Sequence, residues 1–243
     1  SGEIIPNKGT WLEFEQDARD VLYIRIDRTR KVPMTTFLRA LGLANDEDII
    51  ALFGDNEFIK NTLEKDSTKN VDEALIEIYE KLRPGEPATL ESAKNQLVTQ
   101  FFDRFRYDLA KVGRYKFNKK LNVLDRLLGC KIAETIKDLN GEVLVKKGTI
   151  ITKEIRETLK PIFEAGYNKK TVTINEELDK YNQIQTVMVY DKEDEEKIIT
   201  IIGNDQSIDE KRLTISDVYG AVSYFLDLLS GIGSTDEIDH LGN

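Results

Sequence analysis

The sequence predicts an α+β fold, mostly helical, with an N-terminal β-hairpin and a small β-rich module inserted late in the chain. Three observations carry this. Apolar and polar residues alternate over 11–26; apolar residues recur at helical spacing over 71–101 and again over 215–229; and short alternating runs divided by glycines return between 121 and 206.

Taken in order, Trp11, Glu13 and Glu15 point one way while Leu12 and Phe14 point the other. A polar turn over 17–20 follows, and Leu22, Ile24 and Ile26 resume the period of two, which makes a hairpin. The second strand runs into Arg25, Asp27, Arg28, Arg30 and Lys31. As a continuing strand it predicts Arg28 and Arg30 on one face with Trp11 nearby. Pro33 then opens a short helix at a permitted first-turn position, Phe37, Leu38 and Leu41 give it an apolar face, and Gly42 stops it.

Val71, Ala74, Leu75, Ile78, Tyr79 and Leu82 form an amphipathic stripe that ends at Arg83, because Pro84 disfavours helix in its predecessor. After the turn over 84–87 another helix starts at Thr89, with Ala93, Leu97 and Phe101 on one side. Runs at 141–145 and 148–151 read as strands, 152–165 as a helix, and 171–174, 184–190 and 197–202 as strands. The acidic link 191–196 joins the last two. Thr214 and Asp217 make a capping-box start, and Ile215, Val218, Val222, Phe225 and Leu229 give that helix one apolar face up to Gly231. The expected organisation is a discontinuous host, 1–120 with 207–243, around an inserted module at 121–206.

Composition narrows the function. The 243 residues are 40% hydrophobic, enough for a real core, and 35 basic against 44 acidic residues give a net charge of -9. That balance argues against a generic nucleic-acid coat protein. The charge is uneven: residues 171–243 hold 5 Lys/Arg against 16 Asp/Glu, so the first 170 are net +2 and any polyanion contact belongs there. One cysteine, Cys130, excludes a disulfide scaffold, and one histidine, His240, leaves no multi-histidine metal centre. No apolar run approaches the ~18–20 residues that span a bilayer, and no signal-peptide layout opens the chain. The expectation is a soluble, cytoplasmic chain. The missing initiator Met and the ending at 238–243 suggest an excised piece.

No Walker A loop, GxGxxG, HExxH or GxSxG motif is present, so no catalytic residue, metal ligand or cofactor is assigned. Three segments have polyanion character: Arg25–Lys31, Arg83 beside its Pro-Gly turn, and residues 103–120, where seven basic residues face Asp103 and Asp108 with aromatics interleaved. Two readings of the third segment stay open, a solvated helix face with core aromatics or a nucleic-acid contact. Residues 191–196 read first as a solvated hairpin tip.

Five phrases, at 9–15, 25–31, 83–87, 106–114 and 236–243, occur in an order that closely resembles the bacterial DNA-directed RNA polymerase β subunit, in the stretch called its lobe or β2 domain. The resemblance implies a non-catalytic fragment of a nucleotidyltransferase, lining the downstream DNA cleft and facing the non-template strand. It implies that Trp11 stacks on a base, that Asp27 helps hold it, that Arg28, Arg83 and Arg106 lie along the strand, and that Asp239 belongs to a guanine pocket. It implies α, β′, ω and σ subunits as partners, with Mg2+ held by β′ and none here. The competing expectation is a protein-interaction module that docks transcription regulators through its acidic β-rich insert.

Overall fold

Alternation does produce the hairpin. In the computed structural model, which describes residues 1–54, 56–233 and the backbone of 239–242, β1 (Gly2–Ile5), β2 (Leu12–Gln16), β3 (Leu22–Ile26) and β4 (Val32–Pro33) lie side by side. Leu12, Phe14, Leu22 and Ile24 are buried on the inner face, and Trp11 sits on the other parity. The Asp17 carboxylate closes the β2–β3 turn by accepting from the amides of Arg19 (2.8 Å) and Val21 (3.0 Å). The strands β1 and β4 were not expected. Each is four residues or fewer, too short to show a period.

Helices follow: α1 (Met34–Ala40), α2 (Asp46–Phe53), α3 (Glu57–Lys65), α4 (Val71–Leu82) and α5 (Leu90–Leu97), the last continuing into a π-helical turn at Val98–Phe102. Pro33 is the cap of α1 rather than its first residue. Asn45, Asn56, Asn70 and Thr89 each cap a helix by accepting from an amide three residues on. Arg83 leaves helical geometry at φ -132°, ψ 66°, just before Pro84.

Then come α6 (Ala110–Leu121), α7 (Val123–Arg126), β5 (Ile136–Lys137), β6 (Val143–Val145), α8 (Lys153–Glu164), β7 (Lys169–Thr171), β8 (Gln183–Tyr190), β9 (Ile198–Gly203), α9 (Ile215–Leu229) and β10 (Asp239–Gly242). The strand expected over 171–174 is β7, two residues earlier, and the run over 148–151 contributes only a single bridge, Lys131 to Ile150. β10 joins the first sheet parallel to β1, Gly2 opposite Asp239, giving the order β10-β1-β2-β3-β4.

Two hydrophobic clusters share the chain. The larger gathers β1 to α6 with α9 and includes Ile184 and Ile202; the smaller gathers α7, β5, β6 and α8 with Val187, Val189 and Ile201. Because alternate strand residues face opposite ways, the β8–β9 pair is a shared wall, with Ile184 and Ile202 on one core and Val187, Val189 and Ile201 on the other. The helix α9 corrects the sequence reading. Every residue from Ile215 to Asp227 is buried, not one face alone, since α9 packs against the first sheet, α6 and β9 at once. Its capping box is present as expected, Thr214 and Asp217 each bonding the other's amide.

Candidate nucleic-acid interface

The expected site begins at Trp11, whose side is set by the β2 alternation and which remains 37% exposed. Two elements are pinned beside it. The Asp27 amide donates to the Trp11 carbonyl at 3.0 Å, and residues 8 and 108 exchange backbone bonds at 3.0 and 2.7 Å. Gly9 lets this happen: a Cβ there would stand 2.9 Å from the Tyr107 ring and 3.2 Å from the Arg106 carbonyl. Trp11, Asp27 and the 103–108 turn are therefore neighbours although about 80 residues separate the last two.

The turn after β3 overturns the alternating-strand argument for Arg28. Asp27 (φ 51°) and Arg28 (φ 65°) are both left-handed, and the Thr29 amide donates to the Ile26 carbonyl at 3.0 Å, the pattern of a type I′ turn. The strand stops at Ile26, so Arg28 and Arg30 are not placed by strand parity. Arg25 braces the loop through Glu15 (3.1 Å) and the Thr29 carbonyl (2.8 Å), and Lys31 lies over the Tyr23 ring. Asp27, Arg28 and Arg30 are left exposed.

In the third basic segment the two open readings divide by residue. Phe101, Phe102, Tyr107 and Phe117 are core. Arg114, counted among the basic residues, is buried: its guanidinium makes two 2.9 Å bonds to Asp217 and donates to the carbonyls of Glu210 and Arg212. The carboxylate beside it raises its pKa, although burial opposes that. It is structural, not a phosphate ligand. By contrast, the side chain of Arg106 is 66% exposed, with Asp103 only at 4.0 Å, and Phe105 is 74% exposed beneath the Arg104 guanidinium.

Arg83 is exposed at the end of α4. Its neighbour Pro84 lines an open cleft of about 790 Å³ with Arg30, but Asp72, Glu73, Glu77 and Glu80 make that cleft acidic, and burial and Asp66 push the Glu77 carboxyl up. Pro84 and Arg30 line that cleft, Arg83 itself does not, and the structure does not bring Arg83 to Trp11. The backbone of Asp239 lies in β10, two strands from β2; its side chain and that of His240 lie outside the described residues, as do residues 234–238. Phe105 is one of the interleaved aromatics noted in the sequence; sequence reasoning missed Lys8, which the Lys8–Asp108 bridge brings to this corner. Among the described residues no group of three or more His, Cys, Asp or Glu side chains is placed to hold a metal, and no helix is long and apolar enough to cross a membrane.

The model of one sequence family, RNA polymerase Rpb2, domain 2, matches residues 1–131. The chain belongs to that family. Its similarity extends over the remaining residues too: it is 52% identical over 248 aligned positions to the DNA-directed RNA polymerase subunit beta of Geobacillus thermodenitrificans, covering all of this chain and 21% of that relative. The same subunit of Geobacillus kaustophilus is 51% identical with the same coverage, and that of Staphylococcus aureus 50% over 244 positions. This Rpb2 domain 2 chain spans about a fifth of the length of the curated relatives it matches. The resemblance read from the five phrases holds at the level of family. Trp11, Asp27, Arg28, Arg83 and Arg106 all fall within the matched 131 residues; Asp239 does not.

Proposed function

We propose that this chain is a non-catalytic, DNA-facing lobe of a cytoplasmic DNA-directed RNA polymerase β subunit, the host over 1–120 and 207–243 contacting the non-template strand. The observation that carries this reading is the exposed Trp11 indole with Asp27 bonded to its carbonyl and the Arg106 turn fastened two residues away. An unstacked base regains roughly 1–3 kcal/mol on an aromatic face. Asp27, which repels phosphate, suits the amino and imino edges of bases. Arg28, exposed, and Arg106, exposed with Asp103 no nearer than 4.0 Å, suit the backbone, with Arg83 further along. Nucleotidyl transfer and its Mg2+ then belong to other parts of the enzyme, with α, β′, ω and σ as companions.

The test uses the complete polymerase on DNA carrying a fluorescent, stacking-sensitive base in the non-template strand. Trp11→Ala should raise that base's fluorescence and Trp11→Phe should restore part of the quenching. Equal signals from wild type and Trp11→Ala would sink the reading.

A second surface is favoured by the β8–β9 tip. There Asp191 and Asp194 cap the amides of Glu193 and Glu196 at 2.9 and 3.0 Å, leaving the Glu193, Glu195 and Glu196 side chains outward. If it docks transcription regulators, replacing those three glutamates by alanine weakens regulator pull-down and leaves DNA footprints unchanged. Unchanged pull-down removes the idea.

A further inference from the structure

The turn that carries Arg106 also carries a side chain the fold does not use. Asp103 builds that turn: its carboxylate accepts from the Phe105 amide at 2.8 Å, and its carbonyl accepts from the amides of Arg106 and Tyr107 at 3.1 and 2.9 Å. Tyr107, fully buried, anchors the turn in the core. The Phe105 ring lies between these two and does neither job, 74% exposed. A large apolar ring left this open to water gains little from packing. Its surroundings are cationic. The Arg104 guanidinium sits over the ring, 5.0 Å from its centroid, and the Lys8 ammonium stands 3.5 Å from the Phe105 carbonyl oxygen. Lys8, Arg104 and Arg106 are all exposed. The two carboxylates of this corner are engaged with backbone amides, Asp103 with that of Phe105 and Asp108 with that of Ala110 at 2.7 Å.

We infer, on the reading that Trp11 meets an unpaired DNA strand, that Phe105 is a second stacking platform for another base of that strand, with Lys8 neutralising a phosphate between the two. Two chemistries meet at this turn, a π-face for a base and cations for the phosphates attached to it. Arg104 covers one face of the ring and leaves the other to the base. Gly9 stands two residues from Trp11 and against the carbonyl of Arg106, the residue after Phe105, so the backbones of residues 11 and 105 lie within about 18 Å. At roughly 3.4 Å per stacked nucleotide, the two bases are at most about five nucleotides apart, and fewer where the strand is stretched. With no donor or acceptor of its own, the Phe105 side chain takes any base, whereas Trp11 has Asp27 beside it to meet base edges.

The test uses the complete polymerase on a DNA bubble, with a fluorescent adenine analogue that stacking quenches placed singly at successive non-template positions. Phe105→Ala should raise the emission at a position other than the one Trp11→Ala affects. Phe105→Tyr should keep that position quenched, and Phe105→Leu, apolar but without a π-face, should not. The ring is exposed, so these variants remove no packing that the fold needs. Lys8→Gln should lower the salt dependence of strand binding by about one ion. If Trp11→Ala changes a position and Phe105→Ala changes none, even where a protein partner is lost instead, the inference is overturned and the Trp11 reading stands; no response to either variant removes both. Quenching that survives Phe105→Leu, a response confined to the Trp11 position, or a salt slope unmoved by Lys8→Gln also overturns it.

Discussion

Arg106 and Arg114 are eight residues apart, and they do opposite things. Arg106 stands in solvent with an aspartate barely in reach; Arg114 is buried, doubly bonded to an aspartate on α9. What separates them is the distant element that faces each one. Arg114 opens onto α9, whose Asp217 also receives the Asn204 amide (2.8 Å) and the Thr214 backbone (2.9 Å). Among the described residues, Arg106 pairs with Asp103 of its own turn, at 4.0 Å. Arg114 is a fastener because α9 passes it, as Arg39 is one between Asp46 and Asp66, whereas Arg106 is left to solvent.

The sharpest way to break the contrast is to remove Asp217. Asp217→Ala strands a buried guanidinium and two other donors, and should cost at least the roughly 3–5 kcal/mol of a broken buried pair, read as loss of cooperative urea unfolding. A small shift would put Arg114 in the same class as Arg106.

Next is the second buried pair, which divides the fasteners themselves. Burial lowers the Arg126 pKa and raises that of Asp227, so desolvation outweighs the pairing, unlike at Arg114. Arg126→Met alone should cost roughly 3–5 kcal/mol, while Arg126→Met with Asp227→Leu should be neutral or stabilising by about 1–4. The pH dependence follows the same logic. Native Asp227 keeps a proton up to about pH 7 that the unfolded chain releases near its ordinary 3.8, so its contribution to stability falls as pH rises through that window. Asp227→Asn should flatten the slope there, and a slope unchanged from wild type would show that the carboxyl is not the proton holder.

Gly42→Ala probes the seam rather than a charge. At φ 135° its new Cβ would lie 2.4 Å from the Ile174 backbone, where the chain returns towards β8. A loss of about 1–3 kcal/mol in thermal unfolding is expected. Smallest is Arg106→Ala, which should leave unfolding within about 0.5 kcal/mol yet lower the salt dependence of DNA binding in the complete enzyme by about one ion. A stability loss like that of Asp217→Ala would erase the comparison.

Local chemistry was legible in the sequence. The helix caps at Thr89 and Thr214, the stop at Arg83–Pro84 and the inward set Leu12, Phe14, Leu22 and Ile24 each depend on residues within a few positions. Distant pairings were hidden. Nothing near Arg114 announces Asp217, 103 residues away, and four-residue β1 carries too little pattern to reveal its partner β10. The all-round burial of α9 was hidden because its polar residues, Ser216, Asp217, Ser223 and Asp227, read as a solvent face. They are instead hydrogen-bonded inside the protein. At the candidate site, Trp11 and Arg106 could be picked by residue type and phrase, whereas the left-handed turn at Asp27–Arg28 could not, since neither residue is the glycine such turns favour.

That turn sets comfort against grip. An arginine with left-handed backbone holds a posture that glycine adopts freely, at a penalty of roughly 1–2 kcal/mol. Any hunt for hardier versions of this protein will be drawn to residue 28, and each hardier choice made there by relaxing the backbone discards an exposed cation one residue from Asp27. Durability and an exposed positive charge thus compete at a single position, and improving one erodes the other.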